Sequence, residues 1–102
     1  MKAVQKLDVS ESALDLLLVL TEKPDGSYSF VLKTENAESL WRIIPSEDID
    51  TNSIVETYPF CHSKDVLDLV NVNFMVKISN LVYGVSVPGF EFSKVLRHLS
   101  LK

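Results

Sequence analysis

The chain has 102 residues, room for one domain and not for two. With 46% hydrophobic and 24% charged residues, three Gly and four Pro, it falls outside the disordered, collagenous and low-complexity classes and reads as a single globular domain over 1–102. A formal charge of −4 repels phosphate backbones and anionic lipid, which argues against nucleic acid and membrane surfaces as partners.

The acidity is uneven: residues 1–50 carry five basic and ten acidic side chains, and residues 51–102 carry five basic and four acidic. The single cysteine, Cys61, has no partner for an internal disulfide, which suits a reducing compartment. The apolar runs at 16–20 and 74–76 fall short of the roughly 20 residues a membrane helix needs. Met1-Lys2-Ala3-Val4 opens no signal-peptide core, so the expected location is the cytoplasm.

Along the chain, the first strong local signal is Glu22-Lys23-Pro24-Asp25-Gly26, in which Pro presets φ and Gly supplies positive φ for a tight turn. Leu14, Leu16, Leu18 and Leu20 precede it at period two, and Tyr28, Phe30 and Leu32 follow it at the same period. The pattern predicts a hairpin with strands near 13–22 and 27–34. The competing assignment for the first segment is a helix opened by Ser10 as N-cap and running through Leu14, Leu17 and Leu18. Residues 36–44 fit both periods. The β-branched Ile43-Ile44 pair ahead of Pro45 favours a third strand of a meander there. The polar stretch from Ser46 to Ser53 reads as a surface loop.

Beyond that loop, Val70, Val72, Phe74, Val76 and Ile78 alternate with Asn71, Asn73, Met75 and Lys77, which predicts a half-buried strand with the first set facing inward. Its start between Val66 and Leu69 is also compatible with a short helical turn over Lys64 to Leu69 capped by Ser63. Ser79-Asn80 then turns the chain into a second hairpin strand of Leu81, Tyr83, Val85 and Val87, closed by Pro88-Gly89. Phe92, Val95, Leu96 and Leu99 stand at i, i+3, i+4 and i+7. Lys94, Arg97, His98 and Lys102 lie on the polar side, so the last segment is an amphipathic helix with its positive charge at the favourable end.

The expected fold class is therefore α+β, an antiparallel meander of hairpins covered by a C-terminal amphipathic helix. A meander followed by a closing helix resembles the outline of PH-like barrels, which implies a partly closed barrel and, at the level of fold alone, no function. The apolar content of the sheet segments exceeds what one helix covers, so a homodimer through an open face or edge is expected.

Chemistry-bearing residues are sparse. Cys61-His62 sets a nucleophile beside a base, but adjacent strand residues point to opposite sides, and nothing around them would stabilise a thiolate. His62 and His98 stand too far apart, with one cysteine, for any zinc spacing. Glu47, Asp48, Asp50 and Asn52 look like an oxygen-rich calcium loop yet lack its sixth-position Gly and twelfth-position Glu. Gly26, Gly84 and Gly89 form no phosphate-binding pattern. No cofactor, no metal and no catalytic residue are expected.

What remains is a small non-enzymatic protein-binding domain, an adaptor or assembly subunit acting through a sheet edge or face. Trp41 and Arg42, residue types common at interface hot spots, and the acidic Glu47, Asp48 and Asp50 are the expected partner-binding residues. Two alternatives stand beside it. One is an acidic inhibitor, antitoxin or immunity-type protein that occludes a basic partner. The other is a small-molecule binder or enzyme with a site between sheet and helix, lined by Tyr83, His98 and Cys61.

Overall fold

The computed structural model describes residues 9–22, 29–33, 39–45 and 59–100. In chain order these form α1 (Glu11–Leu20), β1 (Ser29–Leu32), β2 (Leu40–Pro45), β3 (Phe60–His62), α2 (Ser63–Asn71), β4 (Met75–Lys77), β5 (Val82–Val85) and α3 (Val87–Ser100). The fold is α+β. All strand pairs are antiparallel, in the order β3-β2-β1-β5-β4, so the sheet ends in two edges and is not closed into the PH-like barrel its outline suggested.

The first correction concerns residues 13–22, expected as a strand and found as helix. The Ser10 side chain accepts a hydrogen bond from Ala13 N at 3.3 Å, and Glu11 sits in the first turn where the helix dipole favours it. Ala13, Leu16, Leu17 and Leu20 are buried at i, i+3, i+4 and i+7. The leucine run satisfies both periods. A good cap and strong helix formers settle it as helix, whereas a strand would leave apolar leucines on two faces. With a helix ahead of it, the turn at 22–26 joins no hairpin, and Lys23 to Gly26 lie outside the described residues. The strands expected within 27–34 and 36–44 are present as β1 and β2, paired with Phe30 opposite Ile44 and Leu32 opposite Arg42.

The second correction concerns 66–78. Of the two readings of its start the helical one over Lys64 to Leu69 holds: these residues belong to α2, whose N-cap is His62 rather than Ser63 and which ends in a Schellman motif, where Asn73 takes φ 68°, Phe74 N donates to Leu69 O at 2.8 Å, and Asn73 N donates to Val70 O at 3.0 Å. Where this motif stops the helix sets the phase of β4. Phe74 is buried as expected, but from Met75 onward the apolar residues face the other way, with Met75 1% exposed and Val76 and Ile78 45% and 55% exposed.

The third correction is at the start of α3. Val87, Pro88 and Gly89, expected as strand end and turn, form its first turn. Ser86 caps it, accepting from Gly89 N through its side chain at 3.2 Å and from Phe90 N through its carbonyl at 2.9 Å. Pro88 fits there because first-turn N–H groups have no intrahelical partner. The expected apolar stripe of α3 is divided: Phe92 and Leu96 pack on the core, with the Phe92 ring stacked on Phe74 at 4.7 Å, while Val95 and Leu99 are exposed. Arg97, expected on the polar side, turns inward. Its Nη1 donates to Thr21 Oγ1 at 2.8 Å and its Nη2 to Leu18 O, so α3 is fastened to the C-terminal end of α1.

Val31, Trp41, Cys61, Met75 and Tyr83 project from one face of the sheet and share a single core with Ala13, Leu16, Leu17 and Leu20 of α1 and Val66 and Leu69 of α2. The other face carries Phe30, Leu32, Arg42, Ile44, Phe60, Val76 and Val82, which lie outside that cluster; Ile44 among them is fully buried, while Phe60 and Val76 are exposed. Its centre is Gly84. A Cβ there would meet the Phe30 ring at 2.8 Å and Ile78 Cδ1 at 2.7 Å, so the aromatic ring lies directly on the glycine.

Gly89 is held more tightly still, since a Cβ would stand 2.2 Å from the backbone oxygen of Phe74. Ala normally favours a helix by about 1 kcal/mol over Gly. Here Gly89→Ala should instead destabilise by about 1–3 kcal/mol, the usual cost of overpacking, because backbone cannot swing aside. Urea denaturation of the two proteins measures the sign.

Candidate partner-binding edge

The two sheet edges differ in what they offer. In β4, hydrogen bonds from Ile78 N to Val82 O and from Ser86 N to Phe74 O place the paired positions at 74, 76 and 78, so the backbone of Met75 and Lys77 turns away from β5. Met75 is only 1% exposed, backbone included, so that half of the edge is covered. In β3, bonds from Ser63 N to Ser39 O and from Ile43 N to Pro59 O place the paired positions at 59, 61 and 63. The N–H and C=O of Phe60 and the N–H of His62 therefore face outward, and both residues are exposed, Phe60 at 48%.

The sequence that follows gives this edge its shape. His62 is the N-cap residue of α2, with φ −85° and ψ 134°, so the strand runs straight into a helix. The chain leaves the sheet after three residues, which keeps β3 short. Arg42 on β2 lies beside the edge with its guanidinium carbon 3.9 Å from the Phe60 ring centroid, a cation–π contact that holds the ring flat against the outer face.

Of the residues expected to bind a partner, Arg42 alone is placed beside this edge. Trp41 is 4% exposed on the inner face, its ring stacked on Tyr83 at 5.2 Å, with Lys33 Nζ 5.8 Å from its centroid. It is a core residue. Its indole N–H is buried without a hydrogen-bond partner, a cost of about 1–3 kcal/mol that the stacking and burial of the ring offset. Glu47, Asp48 and Asp50 lie outside the described residues. Nothing in the sequence around Tyr58-Pro59-Phe60 marks Phe60 as exposed, because the burial of an aromatic there depends on which strands flank it.

Tyr83, His98 and Cys61 do not come together as a ligand site. Tyr83 and Cys61 are packed in the core, and His98 is exposed on α3. The basic face expected on α3 is likewise divided, since Arg97 is engaged with α1 while Lys94 and His98 face solvent, and Lys102 lies outside the described residues. Among the described residues no group of three or more His, Cys, Asp or Glu is placed to hold a metal ion, and no helix is long and apolar enough to cross a membrane.

Cys61 and His62 point to opposite faces, as neighbours on a strand must. Burial, and secondarily the nearby Asp65 carboxylate, push the Cys61 thiol up to about 12. Asp65 itself is 8% exposed and accepts a hydrogen bond from Ser12 Oγ at 2.7 Å, joining the first turns of α1 and α2. A thiol held protonated at neutral pH is no nucleophile.

These features define the class of the molecule: an α+β domain with its described helices on one side of an antiparallel sheet and, among the described residues, a strand edge at β3 where Phe60 and His62 are exposed. The chain matches no protein-family model, no curated protein and no solved structure.

The thiol supplies a test of this geometry. Because the folded state keeps Cys61 protonated to about 12 while a free thiol titrates near 9, the unfolded state releases its proton first as pH rises. Stability should fall through the window from 9 towards 12, and fall less steeply in Cys61→Ala, which denaturant titrations across that range measure. At neutral pH an aromatic disulfide reagent should label Cys61 only as fast as the domain opens.

Proposed function

We propose that this protein is a non-enzymatic protein-binding domain that accepts an extended segment of another protein along β3. The observation that carries the reading is the β3 edge, where backbone groups of Phe60 and His62 turn outward and both residues are exposed, while Met75 on the opposite edge is covered. Strand addition uses such groups for affinity and alternate side-chain contacts for specificity. Phe60 and Arg42 provide the contact on the outer face.

Magnitudes limit the kind of complex. Three outward backbone groups at about 1 kcal/mol net each, with about 1 kcal/mol from covering the remaining half of the Phe60 ring, do not exceed the cost of association by a wide margin. The edge by itself therefore supports a transient complex, and a tight one requires the partner to reach further over the outer face.

The test uses a substitution that the backbone already permits. Position 62 has φ −85° and its N–H bonds to no neighbouring strand, so His62→Pro removes an outward donor without breaking the sheet. Cross-linked in its source lysate, so that a transient complex is captured, tagged wild-type protein is expected to retain a partner protein, and His62→Pro to retain roughly five-fold less with unchanged circular dichroism and thermal midpoint. Undiminished retention by a folded His62→Pro protein, or a wild-type chain that retains nothing, would overturn the reading. Retention that is lost only at high salt in both proteins would favour the acidic-inhibitor alternative, with Glu47, Asp48 and Asp50 as its surface. The native mass of the wild-type chain alone tells whether the partner is a second copy.

A further inference from the structure

We draw no further inference here: the strongest candidate, the exposed apolar flank of α3 carried by Val95 and Leu99, is an unpartnered helix face, and nothing in the structure shows what covers it.

Discussion

The fold depends on the burial of one stripe of α1. Ala13, Leu17 and Leu20 are fully buried and Leu16 nearly so, and they meet Val31, Trp41, Cys61, Met75 and Tyr83 from the inner face of the sheet. Both other described helices are tied to this one by specific polar contacts. Ser12 donates to Asp65 at the start of α2, and Arg97 of α3 reaches Thr21 Oγ1 and Leu18 O at the end of α1. The apolar stripe supplies the driving force, at roughly 1.5–3 kcal/mol for each large side chain, and the polar contacts fix where its two neighbours sit. The described helices pack on one face of the sheet, which makes its two faces unequal.

That asymmetry governs what the molecule can offer to others. Inner-face residues, Trp41 and Cys61 among them, are committed to the core, and their chemistry is spent on packing: a stacked indole and a thiol that stays protonated. On the other face Ile44 is buried, whereas Phe60 and Val76 keep apolar surface exposed and the β3 border has backbone groups turned outward. Edge strands of monomeric domains are usually blunted by proline, lysine or cover. β4 carries Lys77 and a buried Met75; β3, equally three residues long, ends where α2 begins at Ser63 and leaves Phe60 and His62 exposed.

Local signals and tertiary context divided the work unevenly along the chain. β1, β2 and the β4–β5 hairpin follow from period-two patterning with turn residues at Ser79-Asn80, and α3 follows from its helical stripe. The leucine run of α1 did not declare itself, since Leu14, Leu16, Leu18 and Leu20 alternate as neatly as Leu16, Leu17 and Leu20 follow a helix. β4 was legible as a strand and illegible in its facing. Both of its residue sets hold an apolar member, and the phase is set by Asn73 in the left-handed region four residues earlier than Lys77. The same holds for β2: Ser39, Trp41 and Ile43 on one side and Leu40, Arg42 and Ile44 on the other are equally plausible inner sets, so nothing local placed Trp41 in the core and Arg42 beside Phe60.

By itself, then, the amino-acid sequence determined the fold class, the antiparallel neighbours β1 with β2 and β4 with β5, and the closing helix, because turn residues, caps and hydrophobic periods act over a few neighbouring positions. It also determined that Cys61 and His62 diverge, since alternation along a strand is a property of the backbone. Which face of each strand turned inward, which edge stayed open and which half of the α3 stripe was buried were decided only in the tertiary structure. Each of those depends on area shared between segments far apart in the chain, such as α1 against Val31 and Tyr83, or Arg97 against Leu18, and no local pattern encodes which of two apolar surfaces will find the larger partner.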